Sequence, residues 1–302
     1  KKNKLKKRWN KIKNFDFIKE YKKFYKMVSN HACFGKDTEL KLKSGEKIKI
    51  SEIKVGDILH DGSKVTAWLE LSIAGEEIYK LNDIVVTGNH RLYDEEKGFI
   101  YVKNHTSSYN YNDYNSHVIY CINTDSKKIV IDDIIFTDWD DLDEMTMTDI
   151  KKNSENILHG KFETKDIHAY LDGGFTEDTM IELEYGESIN INKVEVDDVL
   201  KFGERVVGVV VIDATDMHNI NQYYLDGISI KGSGNLNIFD SSLGIQNTYN
   251  MNGDPLLKEK KLYHLLTESG VLYVNGIQFQ DYNASLENFI EGEMSEGQFI
   301  YT

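Results

Sequence analysis

Within the first forty residues the spacing of apolar positions switches from a helical to a strand period. Leu5, Trp9, Ile12, Phe15, Ile18, Tyr21, Tyr25 and Val28 recur at steps of three and four, which predicts a helix with one apolar stripe and lysines on its other faces. From Thr38 the period is two. Leu40 and Leu42 alternate with Glu39, Lys41 and Lys43, the chain turns at Ser44-Gly45, and Ile48 and Ile50 return, which predicts a hairpin with one wet face. Further short strands are predicted in "KVTAWLELSI", "EEIYKLNDIVV", "GFIYVKN", "HVIYCINT" and "KKIVIDDIIF", separated by Gly, Asn and Asp turns. Ser107 to Ser116, "SSYNYNDYNS", has no aliphatic side chain and is expected to be a loop.

The pattern then occurs again. "CFGKDTELKLKSGEKIKISEIKVGDIL" (Cys33 to Leu59) matches "GFTEDTMIELEYGESININKVEVDDVL" (Gly174 to Leu200) without a gap, with 11 of 27 positions identical. "TGNHRLYD" (Thr87 to Asp94) pairs with "SGNLNIFD" (Ser233 to Asp240), and "IYCINTDSKKIVIDDIIFTDW" (Ile119 to Trp139) pairs with "LYHLLTESGVLYVNGIQFQDY" (Leu262 to Tyr282). Three blocks in one order predict an all-β protein of two tandem domains. The expected division is a basic helix over 1–32, a first domain over 33–142, a charged helical or irregular linker over 143–171, a second domain over 172–290 and a tail over 291–302.

Composition narrows the function classes. A chain of 302 residues with 40% hydrophobic and 11% aromatic content can bury two cores. Its two cysteines, Cys33 and Cys121, exclude a disulfide framework or a four-thiolate zinc site, and a reducing setting is expected, intracellular or inside a virion. No metal-ligand spacing joins the histidines, so no metal or other cofactor is expected. The longest apolar run, "VVGVVVI" at Val206 to Ile212, is of strand length, so no membrane span is expected. The N-terminus carries no secretory signal. It begins with Lys rather than Met, and a preceding segment is expected to have been removed. Residues 1–26 hold 12 Lys/Arg against Asp16 and Glu20, a balance of +10, which leaves −24 on the rest. The acidic body argues against nucleic acid, and the basic helix is expected to dock on an acidic protein neighbour.

The repeated blocks resemble the hedgehog/intein, or Hint, family, and most closely the stand-alone Hint domains of large DNA viruses and phages. The residues that carry the resemblance are Cys33 opening the first hairpin, "VTGNH" at Val86 to His90, and the closing "IYCINTDSKKIVIDDIIFTDWDD". It implies that the Cys33 thiol attacks the Ala32 carbonyl and turns the Ala32-Cys33 amide into a thioester. Thr87 and nearby N–H groups would hold the carbonyl oxygen, and His90 would protonate the leaving nitrogen. Thiolate character at Cys33 would raise the rate. Cys121 would take the assisting position near the nucleophile, or be a small buried hydrophobe. Asp138, beside Trp139, falls in the closing motif and reads mainly as packing. Splicing is not implied: where inteins carry His-Asn and then a nucleophile, the second copy has Gln280, Asp281 and Tyr282 and the first has Thr137, Asp138 and Trp139. In the second copy Gly174 replaces Cys33 and Leu236 replaces His90, so that copy is expected to be silent. Two functions remain open: autoprocessing by N-to-S acyl shift and cleavage before Cys33, or a catalytically silent Hint-fold module attached to a virion or phage assembly.

Overall fold

The computed structural model describes residues 32–283 and Leu286, apart from 159, 219, 226, 241–243, 249–250 and 257–258. The basic helix expected before Ala32 and the tail expected over 291–302 lie outside the described residues. The fold is all-β, with its described α-helices confined to the connector between two runs of strands.

The first run comprises β1 (Glu39–Lys41), β2 (Lys47–Lys49), β3 (Val65–Ser72), β4 (Ile78–Leu81), β5 (Ile84–Thr87), β6 (Arg91–Asp94), β7 (Gly98–Tyr101), β8 (Ser108–Asn110), β9 (Val118–Thr124), β10 (Lys128–Ile131) and β11 (Ile134–Thr137). Helices α1 (Glu144–Leu158) and α2 (Asp166–Leu171) follow, and Ile150, Phe162, Ile167 and Leu171 bury one another there. The second run comprises β12 (Met180–Glu182), β13 (Ser188–Asn190), β14 (Val206–Asp213), β15 (Ile220–Leu225), β16 (Ile228–Ser233), β17 (Asn237–Asp240), β18 (Gly244–Asn247), β19 (Gly253–Pro255), β20 (Lys261–Thr267), β21 (Val271–Val274) and β22 (Ile277–Gln280). No described helix is long and apolar enough to cross a membrane.

Local chemistry explains the elements. In β1 and β2 Leu40 faces Ile48 across the hairpin while Glu39 and Lys49 flank it in water, as the alternation requires. Two runs that read as single strands fold back on themselves: Asn82 takes φ 54°, and Asp132 and Asp133 take φ 47° and 65°. Left-handed backbone at Asn and Asp suits tight hairpins. The Tyr/Asn stretch also differs from its expectation, since β8 pairs with β4 at Tyr79↔Asn110 and Leu81↔Ser108. As an edge strand it needs no aliphatic face, and its central Tyr109 stands in solvent.

The sheets of the two runs match. Order β5-β4-β8 recurs as β16-β15-β19, and β10-β11-β6-β7 recurs as β21-β22-β17-β18. β1-β2 and β12-β13 are separate two-stranded sheets, and the other four strands share one sheet, β20-β14-β3-β9, which crosses from one half to the other. In the β14–β3 pair Val210 faces Leu69, with Gly208↔Leu71 and Ile212↔Ala67 on either side. Leu69 and Val210 each lie 36 residues after the residue that opens their block, Cys33 and Gly174, so the register is symmetric about this pair. The halves therefore meet around an approximate two-fold axis. Polar contacts close the seam: Lys64 Nζ pairs with Asp213 at 2.5 Å and Asp216 at 2.6 Å, Trp139 Nε1–H donates to Asn283 Oδ1 at 2.9 Å, and Asn123 donates to Tyr282 Oη at 3.2 Å. The core of the first half draws in Val210, Ile212, Leu262 and Leu266 from the second. Full burial of such side chains stabilises by about 1.5–3 kcal/mol each.

Candidate functional site around Cys33

Cys33 sits where the chain enters the first half. Phe34 N–H donates to Tyr120 O at 2.7 Å and Tyr120 N–H donates to Phe34 O at 2.8 Å, so this segment lies antiparallel to β9. On its other side Thr87, the last residue of β5, closes a two-point clamp. Its N–H donates to Cys33 O at 2.9 Å, and its Oγ1 accepts the Cys33 N–H at 3.1 Å. That N–H belongs to the Ala32-Cys33 peptide bond, so Thr87 orients the nitrogen that would leave.

The "TGNH" turn then returns His90 to the same place, its N–H donating to Thr87 O at 3.1 Å. The ring is fully buried, between Phe34 at 4.5 Å and Phe136 at 5.4 Å. Nε2 lies 2.8 Å from the Thr137 carbonyl, which can only accept, so Nε2 carries the hydrogen. Nδ1 is left with a buried lone pair and no hydrogen bond. Burial pushes the His90 pKa down, with the Thr137 carbonyl, the Asp141 carboxylate and the Cys33 backbone opposing it. The imidazole is neutral at pH 7, with its basic nitrogen unspent.

Cys33 and Cys121 are both reduced and both inaccessible to solvent. The Cys121 thiol donates to Ile122 O at 3.6 Å. Burial, then Cys121, then the charge of Glu76 push the Cys33 pKa well up. Burial therefore favours the neutral thiol over the thiolate that would raise the rate.

Asp138 is not brought to Cys33. Its carboxylate accepts the N–H groups of Thr124 at 3.0 Å and Asp140 at 3.2 Å and pairs with Lys127 Nζ at 3.5 Å. Burial raises its pKa to about 7, with Lys127 opposing. For Lys127 burial works the other way, but the Asp138 and Asp140 charges outweigh it and hold the amine protonated. Asp138 touches the site only through the chain, as the residue after Thr137.

The second half supplies a comparison within the same molecule. Gly174 N–H donates to Ser233 Oγ at 3.0 Å and Ser233 N–H donates to Gly174 O at 2.9 Å, the same clamp in Thr87's aligned position. Asp281 likewise accepts the Thr267 N–H at 3.4 Å. The clamp and the aspartate are therefore architecture common to both halves, whereas a thiol at Cys33's position and an imidazole at His90's position occur in the first half alone, Gly174 and Leu236 standing there in the second. A Cβ on Gly174 would lie 2.8 Å from Leu262 Cβ and 2.9 Å from Ile212 Cδ1, so the space for a side chain is closed. Two contributors were missed in the sequence: Ser233, which the alignment of "SGNL" on "TGNH" could have found, and the Thr137 carbonyl, for which a backbone atom leaves no signal.

No protein-family profile matches the chain, and neither does any curated protein. Among solved structures, a DnaB intein from Synechocystis sp. PCC 6803 is similar at 14% identity, covering 36% of this chain and 98% of its own, with a TM-score of 0.27. The gp41-1 intein is similar at 10% identity over 83% of this chain and 98% of its own, with a TM-score of 0.13. At these scores the likeness carries no argument about this chain.

Proposed function

We propose that residues 33–142 form a Hint-type autoprocessing domain that cleaves the Ala32-Cys33 bond, and that 172–290 are a second copy which keeps the packing without the chemistry. The observation that carries this reading is His90: a buried neutral imidazole, pinned through Nε2, whose unpaired Nδ1 lies close enough to the Cys33 backbone for each to affect the other. Cys33 Sγ attacks the Ala32 carbonyl carbon while its proton passes to His90 Nδ1. The imidazolium then gives that proton to the Cys33 nitrogen, held by Thr87 Oγ1, as the C–N bond breaks. An Ala32 thioester on Cys33 and a free Cys33 amine result. Water hydrolyses the thioester, releases the segment ending at Ala32 as a carboxylate and restores the thiol. The neutral Cys33 thiol makes the first step slow at pH 7. Gln280, Asp281 and Tyr282 offer no route onward to splicing.

The test is intact-mass spectrometry of the chain incubated with dithiothreitol or hydroxylamine, beside Cys33→Ala and His90→Ala. Fragments 1–32 and 33–302 are expected from the native chain, none from Cys33→Ala, and a rate lower by about 10²–10⁴-fold from His90→Ala. A full-length mass after long incubation refutes autoprocessing. One observation favours a second reading: the clamp on Cys33 is equally present at Gly174, where there is no thiol. On that reading both halves are silent scaffolds of a larger virion or phage assembly, docked through the basic N-terminal segment, and the unchanged mass is its expected result.

A further inference from the structure

We propose that Cys33 and Cys121 form a reversible cross-strand disulfide under mild oxidation, a covalent modification that takes the nucleophile out of use. The bond is argued from geometry alone; only its consequence for cleavage rests on the autoprocessing reading.

Phe34 and Tyr120 exchange both backbone hydrogen bonds, at 2.7 and 2.8 Å, which makes them a hydrogen-bonded pair of an antiparallel ladder. One residue outward from this isolated bridge, the antiparallel register sets Cys33 opposite Cys121. Such non-hydrogen-bonded partners have Cα atoms about 4.5 Å apart with their side chains on one face. A disulfide spans Cα separations of about 4.4–6.8 Å, so the rung falls inside that window. After burial, Cys121 is the group that most raises the Cys33 pKa, as a near neighbour does. They are also the chain's only cysteines, and both are wholly buried, which disfavours linkage to a second molecule. The second half holds Gly174 opposite His264 at the matching rung, beside an equivalent Phe175–Tyr263 pair bonded at 2.8 Å both ways. It lacks both sulfurs and serves as the unmodifiable counterpart.

The chemistry is thiol–disulfide exchange. One cysteine, as thiolate, attacks an oxidised low-molecular-weight disulfide such as oxidised glutathione and expels one small thiol. The second cysteine then attacks the mixed disulfide and expels the other. Two protein thiols lose two hydrogens, and the oxidant becomes two thiols. With Sγ of Cys33 bonded to Sγ of Cys121, no thiol faces the Ala32 carbonyl until a reductant returns both hydrogens.

In the test the full chain is incubated with oxidised glutathione, quenched in acid, unfolded, alkylated with a maleimide and weighed. The expected product is a monomer about 2 Da below the reduced mass, without maleimide, which gives a cross-linked peptide holding Cys33 and Cys121. Reduction is expected to restore two maleimide sites. Two maleimide adducts after oxidation, a stable glutathione adduct, or disulfide-linked dimers would each overturn the proposal. Cys121→Ser is expected to stop at a free Cys33 thiol or at a glutathione adduct on Cys33 that nothing resolves, and an adduct-free variant that nevertheless resists maleimide overturns it too. Cleavage is scored in parallel on the reduced chain and is expected to slow by roughly tenfold or more in the oxidised one. A cross-link in a chain that never cleaves upholds the disulfide and sinks autoprocessing, and cleavage without a cross-link does the reverse.

Discussion

His264 makes the stability of the second half depend on pH in a way that one substitution should remove. The ring lies on β20, 3% exposed, beside Phe175 at 5.2 Å and Tyr282 at 6.2 Å, and Nδ1 accepts the Leu265 N–H at 2.8 Å. Burial lowers its pKa to about 4, against about 6.5 in an unfolded chain. Because the folded value is depressed, the unfolded state takes up the proton first. Stability is therefore full above about pH 6.5 and falls as pH drops toward 4. A gap of about 2.5 units at about 1.36 kcal/mol per unit amounts to about 3.4 kcal/mol lost below pH 4, of which about 1.4 kcal/mol is gone by pH 5.5. His264→Leu removes that titration. It also strands the Leu265 N–H, a cost of about 1–3 kcal/mol that does not vary with pH and cancels in the comparison. Urea unfolding of both proteins at pH 7.5 and 5.5 measures the difference, with the variant expected to gain about 1.4 kcal/mol relative to the native chain at the lower pH. His90, also depressed by burial, acts in the same direction but is present in both proteins. Equal losses in the two proteins would refute the assignment of a buried, neutral His264.

The paired clamps give a second prediction. Thr87→Val and Ser233→Ala should each cost about 1–3 kcal/mol by stranding a buried N–H, read by chemical denaturation, but only Thr87→Val should slow cleavage. Equal effects on cleavage would remove Thr87 from the chemistry. Gly174→Cys should destabilise by about 1–3 kcal/mol, since its Cβ lands 2.8 Å from that of Leu262, and should yield no new fragment by intact mass.

The alternation of Leu40 and Ile48 against charged neighbours made the hairpins legible, and the echo of Cys33's block at Gly174 made the halves legible. What stayed hidden involves contacts that neither strand encodes alone. β14 is apolar on both faces, while β3 alternates Val65, Ala67, Leu69 and Leu71 with Thr66, Trp68, Glu70 and Ser72; neither pattern names a partner, and their register arises from strands 141 residues apart. At the site, Cys33 and His90 were visible because thiol and imidazole carry their chemistry in their names. Their environment was not: burial that raises one pKa and lowers the other comes from Phe34, Phe136 and Cys121 folding over them. Asp138 was grouped with the site because it falls in the closing motif, whereas Lys127 and the Asp140 N–H hold its carboxylate in a separate network.

Through the shared sheet, the half without a thiol works as a tethered partner subunit. Excising it would uncover the β3 edge from Ala67 to Leu71, a row of unpaired N–H and C=O groups beside apolar side chains and a template for adhesion to other chains. The half that holds Cys33 and His90 is therefore tied to the half that holds Gly174 by a shared edge, and a change of residue at Gly174 leaves the pairing of β14 with β3 in place.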